Sequence, residues 1–293
     1  MKYSFAFLLF LCELSSFGQQ LSGLVLNKSD NKPIPFATIL LKNGNNILTG
    51  TSSNERGDFL IDYDLGKVDS VAVSAIGFYG LTIACPKSSF TIYLKERPIP
   101  LQEMVVLSST NKEKIFGPTQ ENATVVFTPN SYLTELATYI YNDEGTSGYV
   151  KDVSVFVGVL GNKRTPFRLR FYKNNDGKPG EELTTTSIVA KGKRKGKWLK
   201  VSLEEYNIIF PAEGFFASVD WFTPADERFA YKIASTKLKP EDPSLVDRYG
   251  NSIGLVVAKV SAMFIRVDNS SWRKYTTNLD KDIVMMLNIT VRL

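Results

Sequence analysis

The stretch YKNNDGKPGEEL, Tyr172 to Leu183, gathers Asn174, Asn175, Asp176, Glu181 and Glu182 around two glycines and a proline. Oxygen donors at alternate positions ending in Asp-Gly mark an EF-type or dockerin-type calcium loop, which closes on a bidentate glutamate at its last position. Here the alternate positions are Tyr172, Asn174 and Asp176, and the closing position is Leu183. Tyr172 and Leu183 cannot ligate calcium as such a loop demands, so the regular site is excluded. An irregular surface calcium on Asn174, Asp176 and Glu181 is the one cofactor left open. Turn chemistry accounts for more of the residues. Asp176-Gly177 suits one tight turn and Pro179-Gly180 a second, with proline at the early position and glycine where φ must be positive. The expectation is a double bend between two strands.

The chain contains no histidine. Without imidazole there is no Ser-His-Asp or Cys-His relay, no His-ligated zinc and no imidazole base near neutral pH, which excludes most hydrolase mechanisms. A glycosidase needs only two carboxylates across the scissile bond, and Asp220, Asp226 and Glu227 stand near Trp221 and Phe222. Acids at strand ends and in loops are ordinary surface residues, however, and a non-enzymatic protein is the expectation. The basic run KGKRKGKW, with Lys191, Lys193, Arg194, Lys195 and Lys197 before Trp198, could bind anions but reads more simply as a solvated hairpin tip. Arg56-Gly57-Asp58 spells an integrin-binding tripeptide inside a turn pattern, and the turn is the reading adopted. Aromatic side chains offer the best binding candidates: Trp272 first, because the polar stretch DNSSWRKYTTN explains it poorly as core, then Trp221 and Tyr275. For Trp221, as for Trp198, a core position in its strand is the competing reading.

The elements that must position these residues are strands. Residues 1–18 read as a secretory signal, with Lys2, the apolar run SFAFLLFLC, and small residues Ser16 and Gly18 near the cleavage point. Cys12 follows bulky residues, unlike a lipidated cysteine. If Cys12 leaves with the signal, Cys85 is the last thiol, no intramolecular disulfide forms, and stability must come from buried cores. The exported chain would lie in the periplasm, at the outer membrane or outside the cell. Its net charge of +5 is modest and diffuse, so no nucleic-acid partner is expected.

From Leu21 the chain runs in short apolar or alternating pieces: LSGLVL, FATILLK, NILTGTS, DFLIDY, DSVAVSAI, GLTIAC and SFTIYL. Such runs, punctuated by Gly, Asn, Asp and Pro, predict an antiparallel sandwich. Gly23 and Val25, Pro33 to Ala37, Thr51 to Phe59 in a hairpin, and Ser74 to Phe78 resemble the carboxypeptidase-regulatory-like domain, a small sandwich of the transthyretin or prealbumin type. The resemblance covers residues 19–98. Gly57 and Gly77 are the positions where tight turns call for positive φ, with Phe59 and Phe78 packing behind them. Next, Leu101, Glu103, Met104, Val105 and Val106 resemble the energy-coupling connection that follows the same sandwich in TonB-dependent outer-membrane receptors. Too few residues remain for a plug and a large barrel.

Residues 99–120 read as a linker, and 121–293 as a second, larger sandwich of jelly-roll kind. Its strands are VKDVSVFVGVL, PFRLRFYK, KWLKVSLEEYNIIF, GFFASVDWF, SIGLVVAKVSAMFIRV and DIVMMLNITVRL. In PFRLRFYK, Phe167, Leu169 and Phe171 face one way and Arg168, Arg170 and Tyr172 the other. SYLTELATYIY, Ser131 to Tyr141, fits a helix or a strand. The series Tyr172-x-x-x-Asp176-Gly177-x-Pro179-Gly180 resembles a signature of envelope proteins in which this sandwich follows a regulatory-like domain. Taken together, the expectation is an all-β chain of two β-sandwich domains. It would be a non-enzymatic binding or scaffold protein of the Gram-negative envelope, recognising a glycan or an envelope protein and associating peripherally with the outer membrane. The alternatives are an accessory of a TonB-dependent uptake system and a carboxylate-dependent glycoside hydrolase.

Overall fold

A computed structural model describes residues 19–63, 67–97, 112–130, 133–184, 186–222, 228–232, 245–259, 262–267, 270–277 and 282–293. The expected signal, the segment bearing Leu101, Glu103, Met104, Val105 and Val106, and the acids Asp226 and Glu227 lie outside these residues.

The first strands are β1 (Gln19–Asn27), β2 (Thr38–Asn43), β3 (Asn46–Ser52), β4 (Asp58–Tyr63), β5 (Ser70–Ser74), β6 (Leu81–Ala84) and β7 (Phe90–Leu94). They form a three-stranded sheet, β4-β1-β7, and a four-stranded sheet, β3-β2-β5-β6. Strict alternation drives the stacking: Phe59, Ile61 and Tyr63 of β4 and Val71 and Val73 of β5 point inward, onto Val25, Ile39, Leu41 and Ile92. Each such side chain contributes roughly 1.5–3 kcal/mol on leaving water. Two expectations change here. The β1–β7 pair is parallel, not antiparallel, because β7 returns to β1 only after the chain has crossed to the other sheet and back. The turn containing Arg56-Gly57-Asp58 is not a hairpin within one sheet: it carries the chain from β3 in one sheet to β4 in the other. Asn54 Oδ1 caps that turn by accepting from the N–H groups of Arg56 and Asp58.

The later strands are β8 (Glu113–Phe116), β9 (Val125–Phe127), β10 (Leu133–Ile140), β11 (Gly148–Gly161), β12 (Pro166–Asn175), β13 (Lys178–Glu182), β14 (Ile188–Lys191) and β15 (Lys197–Ser202). They continue with β16 (Ile209–Phe210), β17 (Phe215–Phe222), β18 (Arg228–Lys232), β19 (Leu245–Tyr249), β20 (Asn251–Val257), β21 (Met263–Val267), β22 (Arg273–Lys274), β23 (Ile283–Met285) and β24 (Leu287–Arg292). One sheet runs β13-β12-β17-β10-β21-β22, with β14 also on β12. The facing sheet runs β23-β20-β11-β24-β8, with β15 and β16 also on β11 and β9 on β20, while β18 and β19 pair as a separate ribbon. Phe167, Leu169, Phe171, Phe215, Val219 and Trp221 from the first sheet meet Val153, Val155, Ile253, Leu287 and Ile289 from the second in one core. The chain is all-β, its sheets stacked as sandwiches; among the described residues the one helical piece is a single turn, Glu204–Tyr206. No helix among them is long and apolar enough to cross a membrane.

Local chemistry decides several segments the sequence left open or misplaced. Within SYLTELATYIY, Leu133–Ile140 form strand β10: Leu136 and Ile140 enter the core at strand spacing, while Glu135 and Tyr139 take the opposite face. Residues 113–116 are not linker but an edge strand, which buries Phe116 in the second core. KGKRKGKW is no hairpin tip; it passes from β14 in one sheet to β15 in the other. In the Tyr172–Leu183 stretch, Asp176 (φ 50°) and Gly177 (φ 78°) form the tight turn of the β12–β13 hairpin, closed by Asn175 opposite Lys178. The expected second bend is absent. Pro179 and Gly180 lie within β13, an edge strand where proline's missing N–H is tolerated, and β13 carries one extra residue between Pro179 and Glu182, a bulge facing Lys173.

Candidate functional site

On the outer face of the β12-β17-β10-β21 sheet, the register sets Arg168, Asp220, Glu135 and Arg266 in one row across four strands. The next row is Arg170, Ser218, Ala137 and Phe264. Ser218 and Ala137 are small, which leaves room for the Arg170 guanidinium to lie over the sheet. Arg170 grips Glu182 with Nε and Nη2 at 2.9 and 2.6 Å, and its Nη1 stands 3.3 Å from Glu135 and 3.5 Å from Asp220. Glu135, 2 % exposed, also receives Arg266 at 2.6 Å, the Tyr172 hydroxyl at 2.7 Å and the Ser218 hydroxyl at 2.5 Å.

Three arginines (168, 170, 266) thus face three carboxylates (Glu135, Glu182, Asp220), and the cluster neutralises itself. Burial pushes the Glu135 carboxyl up, but Arg170 and Arg266 and the two hydroxyl donors outweigh it and hold the group below the usual carboxylate range. Asp220 goes the other way. Burial dominates there, assisted by the Glu135 charge against the pull of Arg168, and raises its carboxyl above the ordinary value. Burial and the neighbouring Glu135 likewise drive the Tyr172 hydroxyl well above the usual tyrosine range. Both oxygens of Glu135 accept hydrogen bonds, so this carboxylate ties four strands of the sheet together.

Trp272 joins this face. Its ring packs edge-on to Tyr172 at 5.5 Å and lies 4.4 Å under the Arg266 guanidinium, leaving the tryptophan half-buried. Trp221 is a different case. It is fully buried, its indole N–H donates to the carbonyl and side-chain oxygens of Asn251 at 3.0 and 2.9 Å, and no part of it is open to a ligand. Trp221 therefore belongs to the core and supports Phe127 from behind, ring to ring at 5.5 Å. Phe127 in turn meets Tyr275 edge-on at 5.5 Å.

Phe127 and Tyr275 lead to a cleft at the mouth of the second sandwich, where β9 of one sheet and the β21–β22 edge of the other separate. The cleft has a volume of 430 Å³ and is lined by Val126, Phe127, Thr128, Asn130, Arg248, Ile265, Arg273, Lys274, Tyr275 and Thr276. That size falls in the range of roughly 300–1,000 Å³ typical of small-molecule sites. Arg273 is the cross-strand partner of the inward-facing Ile265, so Arg273 and Tyr275 share the inner side of β22 and its continuation, and Trp272 and Lys274 take the outer side. The N–H of Tyr249 donates to the Pro129 carbonyl at 3.1 Å and holds Arg248 beside the Thr128–Asn130 wall. Burial raises the Tyr275 hydroxyl above its usual range. Of the three expected ligand residues only Tyr275 lines this cleft. Arg248, Asn130 and Phe127 were not found from sequence, whereas Arg273 and Lys274 stood beside Trp272 and Tyr275 in a basic-aromatic series that could have been read.

Two of the three expected metal residues have other partners. Asn174 Oδ1 accepts from the Gly177 N–H at 2.8 Å, closing the hairpin turn, and Glu181 pairs with Lys173 at 2.7 Å. Asp176 occupies the left-handed turn position. Among the described residues no three His, Cys, Asp or Glu side chains stand where they could hold a metal ion.

No family model and no curated protein matches the chain. Solved structures give distant likenesses. The cysteine protease and lectin-like domains of Cwp84, a surface layer associated protein of Clostridium difficile, align with 83% of this chain and 45% of that one, at 10% identity and a TM-score of 0.38. This chain thus spans under half of that structure. A proposed carbohydrate binding protein from Bacteroides uniformis aligns over 80% and 96% of the two chains, at 8% identity and a TM-score of 0.23. A DUF3823 family protein from the same species aligns over 82% and 100%, at 10% and 0.19. Likenesses this remote assign no activity and no family. The carboxypeptidase-regulatory-like assignment stays a resemblance carried by the residues named above.

Proposed function

We propose that the chain is an exported, non-enzymatic envelope protein whose second sandwich binds a glycan or a surface partner, with the regulatory-like front sandwich as its docking or spacing module. The observation that carries this reading is the cleft at the sandwich mouth. It pairs two aromatic rings, Phe127 and Tyr275, with hydrogen-bonding groups on Thr128, Asn130 and Thr276, the combination of apolar face and few placed polar groups that small-ligand sites use. Among its described lining residues there is no carboxylate, and Glu135 and Asp220, on the outer face of the sheet that ends in β22, are committed to arginines. A two-carboxylate hydrolase finds no support in that arrangement.

The test is a glycan array probed with the wild-type protein and with Tyr275→Ala. The expected result is retention of a defined saccharide set by the wild type and at least about tenfold weaker binding by the variant, which corresponds to about 1.4 kcal/mol. Undiminished binding by Tyr275→Ala would place the site elsewhere, and an array without any retained saccharide would remove the glycan reading.

A further inference from the structure

We infer that the ligand of this cleft is an acidic saccharide, its carboxylate or sulfate held by the guanidinium of Arg273. The inference rests on the glycan reading and sharpens it. Arg273 stands on the inner side of the β22 edge, across from Ile265 and on the same side as Tyr275. Arg248 lines the cleft as well, beside the Thr128–Asn130 wall, and Lys274 adds its positive charge at the rim. No acid stands among the described lining residues, while Arg273 and Lys274 bring positive charge to the cleft. It contrasts with the outer face of the same sheet, where every arginine of the Glu135 cluster has a carboxylate opposite it. Among the described residues Arg273 is paired with no carboxylate.

The chemistry of the lining selects the ligand. A planar guanidinium offers parallel N–H donors to a carboxylate or sulfate, a geometry an ammonium cannot match. Phe127 and Tyr275 present ring surface that suits the C–H face of a pyranose. Asn130, Thr128 and Thr276 supply donors and acceptors for ring hydroxyls. A free inorganic anion would use the arginine and leave the two rings idle.

The full exported chain is first screened on an array that pairs each acidic sugar, whether uronate, sialate or sulfated, with its neutral counterpart. The best acidic binder is then titrated calorimetrically beside its carboxyl-reduced or desulfated form and beside inorganic sulfate. The acidic form is expected to bind at least about tenfold more tightly than the neutral form, and to weaken as salt rises from low to high ionic strength. Arg273→Ala should lose about tenfold or more, as removal of a charge-assisted hydrogen bond does, and Arg273→Lys should lose less. Because Arg273 is exposed, both variants should melt with the wild type, which separates lost recognition from lost folding. Neutral sugars bound as tightly as acidic ones would overturn the acidic assignment and leave glycan binding standing. Inorganic sulfate bound as tightly as the saccharide would overturn it in favour of a simple anion site. An array with no bound sugar would overturn both readings.

Discussion

Arg168 Nη2 donates to the carbonyl oxygen of Phe36 at 3.0 Å and so ties β12 of the second sandwich to a turn of the first. Phe36 has φ of 57°, a left-handed conformation that costs a non-glycine residue roughly 1–2 kcal/mol. Its neighbours hold it there: the Phe36 N–H donates to the Ser53 carbonyl, while Ser53 Oγ accepts from the Ala37 N–H and donates to the Ile34 carbonyl. Two further contacts join the same surfaces. Lys191 pairs with Glu55 at 2.6 Å, and Gly50 lets Leu133 come so close that a Cβ there would meet its Cδ1 at 2.7 Å.

Arg168→Met should therefore destabilise the chain strongly. Arg168 is 4 % exposed and stands 3.6 Å from Asp220, and removing one partner of a buried pair costs about 3–5 kcal/mol because the other charge is stranded. Arg170, still 3.5 Å from Asp220, sets the expectation at the lower end, about 3 kcal/mol. Urea denaturation measures it. A loss below about 1 kcal/mol would show that Arg168 does not hold the two sandwiches together.

Glu135 governs the acid limb of stability. Its folded-state carboxyl lies below the ordinary value, despite the burial that opposes this, because Arg170, Arg266, Ser218 and Tyr172 favour the charged form. A depressed carboxyl stabilises the fold above the unfolded-state value of about 4.3, and that contribution is lost as pH falls through the folded value. Asp220, raised by burial, acts with the opposite sign: its contribution is present below the ordinary aspartate value and is lost as pH rises through the raised one. Glu135→Gln should lower stability at neutral pH by about 3 kcal/mol, the lower end of the range for breaking a buried pair, since it takes a charged partner from two half-buried arginines while Arg170 keeps Glu182 and Asp220. The slope of stability between pH 5 and the acid transition should flatten in the variant, a range of roughly two pH units over which carboxylates titrate. Denaturation midpoints measured across that range decide it; parallel curves for wild type and variant would mean Glu135 is not the group responsible.

The inner half of this architecture was legible in the sequence and the outer half was not. Phe167, Leu169 and Phe171 alternate with Arg168, Arg170 and Tyr172, and alternation alone places the first three in the core. It also suggests that the second three face water, because a polar strand face is solvated unless something remote covers it. What covers it is remote: Glu135, Asp220, Glu182 and Arg266 come from four other strands, and Phe36 from the other sandwich. No short-range pattern encodes that register. The tryptophans divide for the same reason. Trp221 sits on the inner parity of β17 and was readable as core, whereas Trp272 is held by an arginine and a tyrosine that only sheet pairing brings to it. The cleft falls between these cases, with Arg273 and Tyr275 close in sequence but Phe127, Asn130 and Arg248 supplied by segments far along the chain.

Tyr172 should shape the alkaline limb. Its hydroxyl, pushed well up by burial and by Glu135, donates to Glu135 and accepts from Arg266 at 2.9 Å. For a raised tyrosine the stabilisation is complete below the unfolded value of about 10 and disappears as pH climbs through the folded value. Absorbance titration near the tyrosinate band should show a fraction of the tyrosines ionising only together with unfolding. Tyr172→Phe should remove one of these late groups and cost about 1.5–3 kcal/mol at neutral pH, the range for hydrogen bonds to charged partners. A variant with unchanged stability and an unchanged late-titrating amplitude would disprove the assignment.

Two turn glycines separate backbone strain from steric exclusion. At Gly177 (φ 78°) a Cβ would meet nothing within 4 Å, whereas a Cβ at Gly57 (φ 80°) would lie 2.7 Å from the Val25 carbonyl oxygen. Gly177→Ala should then cost only the left-handed penalty of roughly 1–2 kcal/mol. Gly57→Ala bears the same penalty and must also displace the β1 backbone, whose Val25 N–H donates to the Gly57 carbonyl at 2.9 Å. The expected order in chemical denaturation is wild type, then Gly177→Ala, then Gly57→Ala, with the last step exceeding the first. Equal losses at the two sites would mean that β1 yields freely at Val25. That would remove the steric reason for glycine in the Arg56-Gly57-Asp58 turn and reopen the tripeptide to a role other than joining the two sheets.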